Sequence, residues 1–239
     1  MIIIRKLGVG TLILVTAIYF FIYSAVRYNL TVTSARAAQS PMTIVIDAGH
    51  GGEDGGAVSA SGMQESDLNL SMALRMEQIL ALCGIKTSMI RCTDTAVYTE
   101  GSTITEKKVS DLKHRVQLVN DTTNAILISI HQNHFSEPKY AGAQVFYAPT
   151  AGSEALAQIS QSCLRSTLDP GNRRQPKPAD SVYLMQQVQC PAILVECGFL
   201  SNIQEAALLQ TDSYQTKLVC ALTCALTQYL EKGELEVEI

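Results

Sequence analysis

The amino-acid sequence predicts an α/β fold: an open twisted sheet of about six strands with helices on both faces, in a single domain behind an N-terminal membrane segment. Two observations carry this prediction. Short runs rich in Ile and Val alternate along the chain with longer helical patterns, which is the order expected of strands and the helices that cover them. The stretch Leu7–Val26 holds no charged residue, and the chain after it is long enough for one domain with a sizeable core.

The N-terminal stretch Leu7–Val26 follows two basic residues and is long enough to cross a bilayer as a helix. A small-x-small pattern at Ala35 and Ala37 also fits the cleavage site of a secretory signal. We therefore expect residues 1–40 to form a signal peptide or transmembrane anchor with a short linker. Residues 41–239 are then exported across the cytoplasmic membrane, either anchored to it or secreted.

The exported part shows strand and helix patterns in alternation. Strands are expected at TIVID (43–47), IKTSMI (85–90), AILISI (125–130), GAQVFYA (142–148), SVYLM (181–185) and AILVE (192–196). Helices are expected at about 67–83, 109–120, 153–166, 203–210 and 214–231. Segments 98–108 and 169–180 are rich in turn-forming residues and are expected to be mobile surface loops, although the second would alternatively wall a binding groove.

Charge and cysteine content exclude two classes of protein. All 22 acidic residues of the chain lie in the exported part, which is therefore acidic overall, so nucleic acid is not expected as a partner. The seven cysteines are odd in number and include no C-x-x-C pair, so they do not predict the disulfide framework of a small secreted domain.

Polar residues stand at the ends of three predicted strands. His50 follows TIVID, His131 follows AILISI, and Glu196 closes AILVE. Because ligands of open α/β sheets bind outside the carboxyl ends of the strands, these side chains are expected to share one crevice. Two imidazoles and a carboxylate form a common zinc-binding set, and Glu65 is the candidate third ligand. The alternative is that Glu65 only complements the N-terminus of the helix that follows it.

Other residues near these strands have competing interpretations. His134 is a rival metal ligand, whereas His114 is expected on a helix surface. Asp47 is a candidate to orient His50 from behind, or else a buried residue that holds the loop in place. The Gly-rich segment 49–57 has neither the spacing of a dinucleotide-binding loop nor the lysine of a phosphate-binding loop, so nucleotide binding is not expected.

Four segments together resemble the signature blocks of the zinc-dependent N-acetylmuramoyl-L-alanine amidases, the amidase type 3 family. The segments are IVIDAGHGGEDGGA, ESDLNL, SIHQNH and PAILVECGFLSN, within a match that runs from Thr43 to about Tyr229. The chain departs from the family pattern at Gln132 and His134, where small residues are usual.

The resemblance implies a site and a substrate. His50, Glu65 and His131 would bind one zinc ion, and Glu196 would be the catalytic carboxylate. The substrate would be peptidoglycan, cut at the amide between muramic acid and L-alanine. Zinc lowers the pKa of water from about 15.7 toward about 7 and polarises a carbonyl. Glu196 is expected to take a proton from water and pass it to the alanine nitrogen.

Two other functions use the same residues differently. A cysteine hydrolase would use Cys197 as the nucleophile, with His131 or His134 as its base. A membrane-tethered module would bind the cell wall without turnover, although the chain has no Trp to display in a binding groove.

The arrangement of one catalytic domain behind an anchor is similar to that of the germination-specific amidases of spore-forming bacteria. This similarity implies a role in spore cortex maturation, in the cell-wall or forespore intermembrane space. Whether a regulatory protein partner is needed stays open.

Overall fold

The computed structural model describes residues 16–24 and 42–237. Residues 16–24 form a helix, α1, and the rest of the expected membrane segment Leu7–Val26 lies outside the described residues. Within the described ranges, no helix is both long and apolar enough to span a bilayer. The chain from Met42 onward forms one compact unit that contains all the elements described below.

Six helices and six strands make up this unit. The helices are α2 (Glu65–Leu82), α3 (Ile104–Asn120), α4 (Ser153–Leu168), α5 (Tyr183–Gln187), α6 (Ile203–Leu209) and α7 (Asp212–Val237). The strands are β1 (Thr43–Ala48), β2 (Thr87–Met89), β3 (Ala125–Asn133), β4 (Gln144–Tyr147), β5 (Lys177–Pro178) and β6 (Ala192–Phe199). They form one sheet in the order β2-β1-β3-β6-β4-β5, which is parallel except where β4 runs antiparallel to β6. The predicted α/β class is confirmed.

Strand β1 is buried along its whole length because helices cover both faces of the sheet. Successive side chains of a strand point to opposite faces. Ile44 and Ile46 accordingly belong to the core formed with α2, α4 and α7. Val45 belongs to a second core, which contains residues of α3 and α5. Each such aliphatic side chain contributes about 1.5–3 kcal/mol when fully buried.

The carboxyl ends of β1, β3 and β6 meet at one edge of the sheet. Asp47 pairs with Ser129 in the parallel ladder of β1 and β3. His131 pairs with Glu196 in the ladder of β3 and β6, and a register shift follows at Asn133. Side chains at paired positions point to the same face, so the predicted strand-end residues do share one crevice.

Three predicted segments differ from the structure. The segment SVYLM was expected to be a strand, but it forms most of helix α5, whose Leu184 and Met185 are buried. A short apolar run between turns has no periodicity long enough to separate a strand from a buried helical turn. The sixth strand is instead β5, which lies inside the predicted loop 169–180. Helix α3 also begins within the predicted loop 98–108, because Thr103 and Glu106 form a capping box there.

Candidate functional site

Three side chains converge at the carboxyl edge of the sheet. One potential ligand atom from each of His50, Glu65 and His131 lies within 4.8 Å of the other two. Glu65 Oε1 is 3.3 Å from His50 Nε2 and 3.0 Å from His131 Nδ1. The two imidazole rings meet edge to face, with centroids 5.0 Å apart. Two imidazole nitrogens and one carboxylate at this spacing fit a tetrahedral divalent metal with an open position.

His50 is presented by a backbone turn that arginine side chains hold in place. Its φ of 61° lies in the left-handed region, which costs about 1–3 kcal/mol for a residue other than Gly. Arg115 donates from Nη2 to the His50 carbonyl at 2.8 Å, and Arg91 donates from Nε to the Ala48 carbonyl at 2.8 Å. These bonds satisfy buried carbonyls and fix the direction in which the imidazole leaves the strand.

Two glycines let the site close around the imidazoles and the carboxylate. A Cβ on Gly49 would lie 2.2 Å from the His131 ring. Gly56 has a φ of 68°, and a Cβ there would lie 2.7 Å from Glu65 Oε2. No real side chain tolerates such contacts, so the backbone approaches the cluster of His50, Glu65 and His131 only because these residues lack side chains.

Glu65 is the first residue of α2 and is bound through both carboxylate oxygens. Oε2 accepts from the backbone N–H of Ala57 at 2.9 Å, and Oε1 accepts from that of Gln132 at 3.1 Å. Burial opposes the charge, but hydrogen bonds with His131 and His50 outweigh it and hold the pKa of Glu65 well below its usual range. Glu65 therefore carries a negative charge. Its carboxylate binds the two imidazoles and does not only complement the N-terminus of α2.

The second nitrogen of His50 is also bound. Nδ1 lies 3.0 Å from Asp54 Oδ2, and Asp54 in turn pairs with Lys108 at 3.2 Å. Burial lowers the pKa of His50, but the carboxylates of Glu65 and Asp54 outweigh it and raise that pKa to about 9. Without a metal, the imidazole is therefore held as a cation between two carboxylates.

The expectation that Asp47 orients His50 is wrong. Asp47 is fully buried and pairs instead with Nη1 of Arg115, while its other oxygen accepts from the Ser129 hydroxyl at 2.6 Å. Burial opposes the Asp47 charge, but Arg115, His131 and the Ser129 hydroxyl together outweigh it and lower the pKa of Asp47 below its usual value. Asp47 thus has the other role considered for it, a buried residue that fixes the strand end.

Sequence reasoning missed Asp54 and Arg115. The sequence signal for Asp54 is its acidic side chain in the Gly-rich loop that follows His50. Arg115 lies one residue after His114, which was expected on a helix surface, and the sequence pattern gave Arg115 no role of its own. In the structure Arg115 is only 2% exposed, and the half-buried His114 ring contacts the Val97 carbonyl.

Glu196 lies on β6 beside His131, with which it pairs in the sheet. Its Oε2 is buried and has no hydrogen-bond partner within the part of the chain that the structure describes. Burial, helped by the Glu65 charge and opposed by His131 and His50, raises the pKa of Glu196 to about 7. A carboxyl group that titrates near neutrality is suited to both taking and giving a proton.

A cavity of about 610 Å³ opens over these groups. Its floor contains His50, His131 and Glu196, and Tyr98 and Lys107 stand on its wall. Lys107 pairs with Glu53 at 2.9 Å. No residue of 169–180 lines the cavity, so this segment does not wall the groove. The wall includes two apolar residues of the segment that follows it, Val182 and Leu184.

The rival nucleophile and the rival ligand occupy other positions. Cys197 is fully buried, and burial raises the pKa of its thiol well above the usual value. Because the thiolate is the nucleophilic form, this cysteine is unsuited to attack an amide. His134 is exposed and does not belong to the cluster of His50, Glu65 and His131.

Known proteins are similar to this chain in sequence and in fold. The family model described as N-acetylmuramoyl-L-alanine amidase matches residues 44–228. The germination-specific N-acetylmuramoyl-L-alanine amidase of Bacillus subtilis (strain 168) is 39% identical over 194 residues, which cover 80% of this chain and 81% of that protein. The CwlD amidase from Clostridioides difficile, in complex with the GerS lipoprotein, has a TM-score of 0.77 and 35% identity over 80% of this chain and 98% of that one. The N-acetylmuramoyl-L-alanine amidase from Clostridium difficile 630 has a TM-score of 0.70 and 30% identity over 81% of this chain and 98% of that one.

Proposed function

The chain belongs to the N-acetylmuramoyl-L-alanine amidase family, and from this premise we propose that it binds one zinc ion through His50, Glu65 and His131 and uses Glu196 as general base and acid. It is a peptidoglycan amidase, and the bond it cleaves is the amide between N-acetylmuramic acid and the L-alanine of the stem peptide. The convergence of three ligand atoms within 4.8 Å, beside a carboxyl group with a raised pKa, carries the proposal.

The chemistry divides between the metal and Glu196. His50, Glu65 and His131 would hold the zinc ion, which would supply a Lewis acid for the amide carbonyl and lower the pKa of water toward neutrality. Glu196 removes a proton as the oxygen of water adds to the carbonyl carbon. It then returns a proton to the alanine nitrogen as the C–N bond breaks. The products are a muramic acid carboxylate and a stem peptide with a free L-alanine amino group.

The buried, unpaired Oε2 of Glu196 supports this double role. A carboxylate fixed by ion pairs would release a proton readily but return it poorly, because its pKa would lie far below that of the reacting groups. Among the residues that the structure describes, Glu196 has no ion-pair partner, and burial keeps its pKa near 7. It can therefore exchange a proton in both directions at neutral pH.

The test compares adjacent residues of β6. Glu196→Gln keeps the shape of the side chain but cannot accept a proton, so we expect it to retain zinc and lose on the order of a hundredfold in rate. Cys197→Ser should keep its activity. The measurement counts L-alanine amino groups released from defined muropeptides, with metal content determined on the same samples. An active Glu196→Gln protein, or an inactive but zinc-loaded Cys197→Ser protein, would overturn this mechanism.

Delivery to the substrate is part of the proposal. Peptidoglycan lies outside the cytoplasmic membrane, so we propose that residues 1–40 act as signal peptide or membrane anchor and that residues 41–239 form the exported zinc amidase domain. A C-terminally tagged protein should be accessible to protease added outside the membrane of intact spheroplasts. Protection from the protease, with an intact Met1, would contradict this organisation.

A role in spore cortex maturation rests on the relatives. The similar protein of Bacillus subtilis is named for germination, and the similar structure from Clostridioides difficile holds a lipoprotein. We propose that this chain likewise acts on spore peptidoglycan and takes a protein partner there. Expression in a B. subtilis strain that lacks its germination-specific amidase should restore mature cortex, whereas Glu196→Gln should not. Failure of the active protein to restore the cortex would restrict the function to the vegetative wall.

A further inference from the structure

We propose that the buried amide pair of Asn69 and Gln132 positions the metal ligand Glu65, so that the affinity for metal depends on two residues that do not themselves bind it. This inference rests on the metal site proposed above. Asn69 is fully buried in α2, one turn after Glu65, and Gln132 is 3% exposed in β3, directly after His131. The pair therefore lies behind the ligands, on the side away from the cavity.

Asn69 connects the carboxylate to the backbone. Its Nδ2 donates to the Gly49 carbonyl at 3.1 Å and to Glu65 Oε1 at 3.3 Å. A carbonyl can only accept, so the contact with Gly49 fixes which end of the Asn69 amide is nitrogen. The other end, Oδ1, must then face away from Glu65.

Gln132 completes the arrangement. Its Nε2 donates to Asn69 Oδ1 at 3.2 Å, and its backbone N–H donates to Glu65 Oε1 at 3.1 Å. Gln132 thus holds the carboxylate oxygen directly through its backbone and indirectly through the amide of Asn69. The same Oε1 is the atom that lies nearest the imidazoles of His50 and His131.

The orientation of Gln132 has a cost in stability. With Nε2 turned to Asn69, the buried Oε1 finds no hydrogen-bond partner among residues 16–24 and 42–237. Unpaired buried acceptors are rare in folded proteins, since each is destabilising. An amide that keeps this orientation is explained by what its other end does, which is to hold Asn69 against the ligand.

The polar pair also stands out from its apolar surroundings. Gln132 Nε2 lies 3.8 Å from Met72 Sδ, and Met72 is a fully buried member of the core formed by α2, α4 and α7. A methionine at position 132 would fill the same volume and pack against Met72 with little strain. The side-chain amide is therefore not required for packing.

The experiment measures zinc affinity by competition with a chromophoric chelator, using the wild type, Gln132→Met, Asn69→Leu and the double variant. Both single substitutions should weaken zinc binding about 10–100-fold, the usual effect of losing an outer partner of a metal ligand. The double variant should be no weaker than Asn69→Leu by more than about twofold, because the Gln132 side chain acts through Asn69.

Gln161→Met is the matched control. Gln161 is equally buried and bonds through both ends of its amide, to the Ala143 carbonyl and the Val145 N–H, but it belongs to α4 and touches no ligand. We expect it to lower the melting temperature of the metal-free protein without changing zinc affinity. Gln132→Met should instead leave that melting temperature nearly unchanged and weaken zinc binding, because it removes one unpaired acceptor, leaves another on Asn69, and frees the Asn69 amide from its partner.

The possible outcomes distinguish a failure of this inference from a failure of the proposed metal site. If the wild type binds no zinc, the proposed metal site itself fails. If the wild type binds zinc and the variants of Gln132 and Asn69 bind it equally well, the positioning role fails. Should Gln132→Met not fold, Gln132→Glu tests the same point, because its carboxylate repels Asn69 Oδ1 and turns that amide away from Glu65. Unchanged zinc affinity in that variant would also overturn the inference.

Discussion

Nδ1 of His50 lies 3.0 Å from Oδ2 of Asp54, while Nε2 of the same ring faces Glu65 at 3.3 Å. A carboxylate at Nδ1 favours the tautomer with the proton on that nitrogen, which leaves the lone pair of Nε2 free for a metal. Asp54 therefore selects the form of His50 that can act as a ligand.

The first prediction concerns this hydrogen bond. Asp54→Ala should weaken zinc binding about 10–100-fold, because His50 loses the partner that orients its ring and fixes its tautomer. Competition with a zinc chelator measures the effect. Glu53→Ala is the control, since Glu53 is the neighbouring acid of the same loop but pairs with Lys107. If both variants lost the same zinc affinity, the effect would come from the charge of the loop and not from the bond to His50.

The second prediction concerns the pH dependence of Glu196. Burial raises its pKa to about 7 in the metal-free protein. The carboxylate form is the general base, so log kcat/KM should rise with pH up to the pKa that Glu196 has in the active enzyme and then level off. A bound cation favours the carboxylate, so the midpoint in the zinc enzyme should lie below 7. Muropeptide cleavage followed from pH 4 to 9 measures the midpoint.

Glu196→Gln supplies the internal control for that profile. Its residual activity should lack the acidic limb, because glutamine does not titrate. If the variant keeps the same limb as the wild type, the limb belongs to another group, and the assignment of the base to Glu196 loses its support.

The strands that carry the site could be predicted because their burial is complete. TIVID and AILISI are largely apolar runs, with Thr43 and Asp47 as the polar residues of the first and Ser129 as that of the second, and that pattern belongs to parallel strands covered on both faces. His50 and His131, two of the three proposed metal ligands, follow directly from where those runs end, whereas Glu65 begins helix α2. Since the carboxyl ends of neighbouring parallel strands adjoin, positions far apart in sequence could be assigned to one crevice.

The contacts that orient the ligands could not be predicted in the same way. Asp47 and Asp54 stand at similar distances in sequence from His50, and only the turn at His50 decides which of them faces its ring. Arg115 lies in a helix whose surface is mostly polar, so helical periodicity alone gave no sign of a buried cation. Such contacts depend on how distant elements pack, which a local pattern does not contain.

The third prediction concerns the buried pair of Asp47 and Arg115. Arg115→Met should destabilise the protein by about 3–5 kcal/mol at pH 7, because it leaves the Asp47 carboxylate buried without its cation. Urea unfolding of the metal-free protein measures the change. Arg75→Met is the control: its partner Asp212 is 91% exposed, so this loss should stay below about 1 kcal/mol.

The pair of Asp47 and Arg115 also predicts how the stability of the fold depends on pH. Arg115 lowers the pKa of Asp47 in the folded state, so the pair contributes stability above the ordinary Asp pKa of about 3.9, and this stability is lost as pH falls through the lower folded value. The difference between wild type and Arg115→Met should therefore shrink as the pH falls below about 4. A constant difference down to pH 2 would show that the substitution acts through packing and not through charge.

The last prediction tests how closely the backbone approaches the metal ligands. In Gly49→Ala, the new Cβ would lie 2.2 Å from Cε1 and Nε2 of His131 and 2.7 Å from its Cδ2. Gly49 is not among the residues with positive φ, so its φ does not oppose alanine, and the three shortest contacts of the new Cβ are all with the imidazole. We therefore expect the variant to fold but to displace the His131 ring, with zinc affinity and rate both falling at least about 10-fold, as a misplaced ligand predicts. Gly171→Ala, where the nearest atom is an exposed carboxylate oxygen at 3.1 Å, should change neither property. Stoichiometric zinc and full activity in Gly49→Ala would show that His131 can leave this position without loss, and its assignment as a ligand would then have to be withdrawn.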